Sequence, residues 1–225
     1  MLRRLAPLFA AAALLGLTAT ANAALKPGDA APLFTTDAAV GGKQMPLVLS
    51  DALKKGPVVL YFFPKSFTSG CTLEAHLFAE ATDKFAALGA TVVGVSHDDI
   101  ATQIKFSKEE CRDKFAVAAD PESAIIKSYD AKMAMLPMSG RISYVISPDD
   151  KILYEYSSMD PSDHVKNTMK AVEDWRAKHG AATRPLVAAP DGAPGSARVV
   201  TLASRELGGA CGQPNSAARS RTRVR

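Results

Sequence analysis

The most apolar short run in the body of the chain is Val58-Val59-Leu60-Tyr61-Phe62-Phe63, preceded by Gly56-Pro57 and followed by Pro64. It is β-branched and aromatic and lacks alternation, the pattern of a central strand covered on both faces. Lys65 to Gly70 reads as a loop. From about Cys71 to Leu88 the apolar positions change period: Leu77, Phe78, Ala81, Phe85 and Leu88 recur at three and four. That spacing predicts a helix with one stripe for a sheet, closed by Gly89. Thr91-Val92-Val93-Gly94-Val95 is a second buried strand. Strand, helix and strand in this order form a βαβ unit, so the two strands are expected to be parallel.

Weaker patterns follow. A helix is expected from about Ile100 to Asp113, a short strand over Phe115–Ala118 and a short helix over Pro121–Tyr129. Ile142–Ile146 and Lys151–Tyr156 flank Ser147-Pro148-Asp149-Asp150, a β-hairpin signal. The last helix is expected to start with Asp160 as its cap and Pro161 at its first position. Val165, Met169, Val172 and Trp175 form its inner stripe, with Gly180 at its end. No internal repeat is visible. The order βαβ then ββα, after an N-terminal segment, predicts an α/β fold. It is a thioredoxin-like sandwich, a central mixed β-sheet flanked by helices, with the active loop at the carboxyl end of a central strand.

The two ends have different compositions. Residues 1–23 read as a secretory signal peptide: Arg3 and Arg4, an apolar run from about Leu5 to Leu17, then Ala21-Asn22-Ala23 before a cleavage point. The run is too short to cross hydrocarbon, which takes about 20 residues, and no Cys follows it to carry lipid. The protein is therefore expected to be exported, to a periplasm or beyond, with no further membrane contact. Residues 181–225 are rich in Ala, Arg, Gly, Pro and Ser, with seven Arg and no Lys against Asp191 and Glu206. A basic tail suits nucleic acid or anionic lipid; the composition alone also describes a solvated, disordered extension, which is the expectation here, with no nucleic-acid partner. The formal charge of +4 therefore belongs to the ends. Residues 24–180, long enough for one domain with a core, are slightly acidic.

That domain holds two cysteines, Cys71 and Cys111; the third, Cys211, lies in the tail. Two cysteines in an exported domain are one structural bridge or a reactive pair. Cys71 sits where the first long helix is expected to begin. A thiol in the first turn meets free backbone N–H groups and the positive end of the helix dipole, and both favour the thiolate, which is the nucleophile. Thr68 offers a hydroxyl across the turn, and Pro64, without an N–H, fixes the loop over the site. Position alone equally fits a buried structural cysteine.

Pro64-x-x-x-Thr68-x-x-Cys71, within Phe-Phe-Pro-Lys and Gly-Cys-Thr-x-Glu, resembles the active-site motif of peroxiredoxins, and in particular the peroxiredoxin Q or bacterioferritin-comigratory group. Arg141-Ile142-Ser143-Tyr144-Val145-Ile146 resembles the family's arginine strand. The likeness covers roughly residues 25–178. It implies a thiol peroxidase in which Cys71 attacks a hydroperoxide and becomes a sulfenic acid. Arg141 holds the thiolate and the charge that develops on oxygen. Thr68 and the Gly70 and Cys71 N–H groups contact the peroxide oxygens, Pro64 keeps out water, and Glu74 orders Arg141. A thioredoxin-like protein or small thiol would restore the enzyme, a monomer or weak dimer without cofactor or metal.

One position departs from the family. A common pattern has a resolving cysteine five residues after the first, where this chain has His76. The imidazole cannot resolve a sulfenic acid, and His76 reads as a helix-surface residue. Cys111 is left as the possible resolving cysteine, or as a buried bystander. A disulfide needs Cα atoms within about 7 Å, so two separate helix ends would have to open. His97-Asp98-Asp99 reads as a helix cap rather than a metal site, His164 and His179 as solvated, and Met133, Met135 and Met138 as an apolar loop. Two rival functions remain. Thioredoxin-like disulfide exchange would want a cysteine where Thr68 stands; a redox sensor would need neither Thr68 nor Arg141.

Overall fold

A computed structural model of the chain describes residues 24–180. The signal-peptide and tail expectations, Cys211 included, lie outside the described residues.

The first two strands, β1 (Thr35–Val40) and β2 (Lys43–Val48), form an antiparallel hairpin. Its turn is Gly41-Gly42, with φ of 57° and 76°, the left-handed pair that a two-residue hairpin needs. A short helix α1 (Leu49–Leu53) leads to β3 (Val58–Phe62). Then come α2 (Ser69–Ala87), β4 (Thr91–Ser96), α3 (Ile100–Glu109), β5 (Ala116–Ala119) and α4 (Ala124–Ser128). The chain closes with β6 (Ile142–Ile146), β7 (Ile152–Ser157) and α5 (His164–His179).

The described strands make one seven-stranded sheet in the order β2-β1-β5-β4-β3-β6-β7. β3 lies parallel to β4, as the βαβ reading requires, and antiparallel to β6. This is the α/β sandwich expected from the sequence. The register of β6 matters most for the site. Phe62, the last residue of β3, pairs with Ile142, the first of β6. Arg141, one residue earlier, is thereby delivered to the loop between β3 and α2.

Alternate residues of β3 feed opposite faces of the sheet. Leu60 and Phe62 pack with α1 and α4 through Leu49, Leu53, Ile126 and Tyr129. Val59, Tyr61 and Phe63 face Phe78 and Phe85 of α2, Phe106 of α3 and Val172 of α5. The Tyr61 ring stacks on Phe78 with centroids 4.4 Å apart, and Phe63 stacks on Phe106 at 5.4 Å. Each such ring is worth roughly 1.5–3 kcal/mol on burial, so this layer fixes where α2 begins. Cys71 and Cys111 are both in it.

Three expectations need correction. α5 begins at His164, with Asp163 before it, rather than at Pro161. The Asp160 carboxylate is spent locally on the Ser162 N–H and hydroxyl, at 2.9 and 2.6 Å, and so caps a turn instead of the helix. His164 is consequently on the inner face and fully buried, not solvated. α3 ends at Glu109, because Arg112 and Asp113 adopt left-handed φ of 51° and 60°; Cys111 lies in the connection after α3.

Candidate active site

Cys71 is the third residue of α2, in its first turn. The first α-helical hydrogen bond of that turn is Thr72 N–H to the Thr68 carbonyl, at 2.8 Å. The N–H groups of Ser69, Gly70 and Cys71 precede it and have no partner within the helix. The Cys71 side chain is buried and its thiol free.

Arg141 reaches this turn from the start of β6. Its Nη2 donates to Cys71 Sγ at 3.5 Å, its Nε donates to the Met159 carbonyl at 3.1 Å, and its Nη1 donates to Glu74 Oε2. The guanidinium is thus held on three sides, by the thiol, by α2 and by the connection ahead of α5. Gly70 makes the approach possible: a Cβ there would stand 3.0 Å from Arg141 Nη2. Burial works against the charge on Arg141, but Glu74 and Cys71 outweigh it and hold the guanidinium above its ordinary value.

Glu74 is wholly buried one turn after Cys71. Burial pushes its carboxyl up to about 8, with Arg141 pulling the other way. Its second oxygen, Oε1, has no hydrogen-bond partner among the described residues. Thr68 and Pro64 are nearer the surface. The Thr68 hydroxyl donates to the Lys65 carbonyl at 2.9 Å and so braces the loop. Between them Phe67 takes a left-handed φ of 64° and sets its ring edge-on against Phe106 at 5.2 Å.

A family model described as the AhpC/TSA family matches residues 27–155. A putative peroxiredoxin of Mycobacterium tuberculosis is 32% identical, covering 66% of this chain and 98% of its own length. Chloroplastic peroxiredoxin Q of Oryza sativa is 31% identical over 65% of this chain; the chain spans 66% of that relative. The crystal structure of peroxidoxin BcpB from Mycobacterium tuberculosis superposes with a TM-score of 0.61 at 30% identity, over 67% of this chain and 97% of that one. The chain belongs to the AhpC/TSA family of peroxiredoxins.

In this peroxiredoxin, among the described residues, no side-chain hydrogen bond joins the other sequence candidates to the Cys71–Arg141–Glu74 group. Cys111 is a free, buried thiol beyond α3, and its burial pushes it well above the ordinary thiol range. His76 is part-buried, with Nε2 2.7 Å from Glu110 Oε2. Arg112–Glu80 and Lys114–Asp83, at 3.2 and 3.0 Å, continue this clasp between α2 and the Cys111 connection. In the His97 loop, Asp99 caps α3 through the Thr102 N–H at 2.8 Å. Asp98 accepts from the Ser66 N–H at 2.7 Å, tying the active loop to β4.

Reading the sequence missed His164, Ser143 and Met159. Met159 contributes only a carbonyl, which no side-chain pattern reports. His164 lay hidden behind the misplaced start of α5.

Proposed function

We propose that this chain is a thiol peroxidase for hydrogen peroxide and organic hydroperoxides, with Cys71 as the peroxidatic cysteine. The observation that carries the reading is the Arg141 guanidinium 3.5 Å from a free thiol in the first turn of a helix. The thiolate attacks the terminal oxygen of the hydroperoxide. A sulfur–oxygen bond forms, the oxygen–oxygen bond breaks, and the leaving oxygen departs with the electron pair. That oxygen takes up the proton released when Cys71 ionised, giving alcohol or water, and Cys71 is left as a sulfenic acid. Arg141 and the free N–H groups of Gly70 and Cys71 stabilise the charge as it moves from sulfur to oxygen. Thr68 rotates its hydroxyl from the Lys65 carbonyl to the bound peroxide, and Pro64 shields the loop.

Resolution falls to Cys111. Its thiol attacks the sulfenic sulfur, water leaves, and a Cys71–Cys111 disulfide forms within one chain. A thioredoxin-like protein or a small thiol then reduces it. In the folded state Cys111 is buried and held protonated, so the connection after α3 must open first. The left-handed Arg112 and Asp113 are sparsely populated conformations for side-chain residues and favour that opening. We also infer export, to a periplasm or beyond, from the signal-peptide pattern of residues 1–23. Peroxide consumption by wild type, Cys71→Ser and Cys111→Ser tests the reading. Cys71→Ser should be inactive though folded, and turnover retained by it would rule the assignment out.

A further inference from the structure

Behind the Cys71–Arg141–Glu74 group lies a second buried layer. Glu74 Oε1, the oxygen without a hydrogen-bond partner, faces His164 Nδ1 at 3.6 Å. His164 Nε2 is 2.9 Å from the Ser158 carbonyl, which can only accept, so this nitrogen carries a hydrogen. In the neutral ring Nδ1 is then bare, and Ser143 Oγ stands 2.8 Å from it. Both Glu74 and His164 are fully buried. An unpartnered Glu74 oxygen therefore faces a ring nitrogen that otherwise accepts from the Ser143 hydroxyl, and one proton between the two would satisfy the oxygen.

We propose that Glu74 Oε1 and His164 Nδ1 draw together from 3.6 Å to hold one proton between them, and that His164 is thereby a positioning residue. By keeping the Glu74 carboxyl neutral it leaves the Arg141 charge undivided for Cys71. The proposal rests on the reading of Cys71 as the peroxidatic thiol. When the pair holds its proton, Arg141 faces one anion, the thiolate. When the proton leaves, Arg141 faces two, and its hold on the sulfur and on the departing oxygen weakens. Burial raises Glu74 and lowers His164, which puts the proton on the carboxyl side.

The groups around the pair are few. Arg141 and Ser143 approach from β6, Asp160 and Asp163 from the connection before α5, and Tyr156 from β7, with its ring 4.8 Å from the imidazole. Cys71 and Tyr61 share the apolar layer beside Glu74. Ser143 is the competitor: its hydroxyl donates to the Nδ1 lone pair that the Glu74 proton would use.

The test follows the Glu74 carboxyl carbon and the His164 ring nitrogens by NMR against pH in the mature reduced protein. In parallel, the second-order rate of Cys71 with hydrogen peroxide is measured. The two resonances should move at one common pH, and the rate should fall roughly tenfold through that step, the equivalent of one pKa unit of charge stabilisation. Ser143→Ala should carry all three midpoints to higher pH, because Nδ1 has lost its competing donor. Glu74→Gln should abolish the step in the His164 signal, and His164→Gln should displace the rate step from its wild-type pH. A His164 ring that stays silent while Glu74 titrates, or a rate step unmoved in Ser143→Ala and His164→Gln, overturns the proposal. Co-titrating resonances in a protein that does not react with peroxide would support the shared proton and refute the peroxidase reading alone.

Discussion

A methyl group at Gly70 would meet the Arg141 guanidinium at 3.0 Å. Gly70 lies in the first turn of a helix, where the gain in helix propensity from Ala offsets its pressure on Arg141, so Gly70→Ala should change the melting temperature little. The reaction of Cys71 with peroxide should nevertheless slow roughly tenfold as Arg141 is displaced. A stopped-flow rate set against a thermal melt separates the two effects. Arg141→Ala should lose more, on the order of a hundredfold, and leave less thiolate at a given pH, because a neighbouring cation favours that form. Glu74 makes a stability prediction. Its carboxyl rises from 4.5 to about 8 on folding, so the folded state keeps a proton that the unfolded chain releases. Stability of this kind is complete below the unfolded value and is lost as pH rises through the folded one. Urea unfolding of wild type should therefore weaken between about pH 4.5 and about pH 8, while Glu74→Gln stays flat. Cys71 was legible from its place in the first turn of a helix, and Arg141 and Glu74 through the resemblance of their segments to the peroxiredoxins. His164 was not, because its meaning depends on where α5 starts, and Asp160-Pro161 imitates a helix start.

The elements around the two cysteines are held with unequal firmness. α2 is anchored by stacked aromatics, whereas the connection carrying Cys111 is clasped to it by the His76–Glu110 contact and two ion pairs. Exposed pairs such as Arg112–Glu80 are worth about 0–1 kcal/mol each, so the part-buried His76–Glu110 contact is the strongest of the set. His76→Ala should speed amide exchange across residues 110–114 and leave α2 unaffected. If Cys111 resolves, one equivalent of peroxide should give an intrachain Cys71–Cys111 disulfide, and Cys111→Ser should advance to sulfinic acid at a lower dose. Equal sulfenate lifetimes in wild type and Cys111→Ser would remove Cys111 from the cycle. The βαβ core was readable because buried parallel strands are continuous apolar runs, and the antiparallel β6–β7 hairpin because a turn-rich loop, Ser147-Pro148-Asp149-Asp150, separates two strand-like runs. The β1–β2 hairpin was not. Five of its six flanking positions from Thr35 to Val40 carry small or polar side chains, and its one clear signal was the Gly41-Gly42 turn.

At the scale of the whole molecule, charge and function are segregated. Along the sequence the basic excess falls in residues 181–225 while residues 24–180 are slightly acidic, and everything the proposed chemistry uses lies between Pro64 and His164. Deleting residues 181–225 should leave peroxide consumption and melting temperature close to those of the full chain, since the composition offers little to pack. A large loss in either would make the tail part of the domain. The protein should be recovered outside the cytoplasm with its N-terminus at Ala24; recovery from the cytoplasm alone, starting at Met1, would remove the export reading.

The most direct test of the account is to mix the reduced mature protein with one equivalent of hydrogen peroxide and trap sulfenic acid at once, followed by peptide mass spectrometry. The expected result is modification at Cys71 alone at the earliest time, appearing later as a Cys71–Cys111 disulfide. A Cys71 that stays a free thiol while peroxide is consumed, or first oxidation at Cys111, would contradict it.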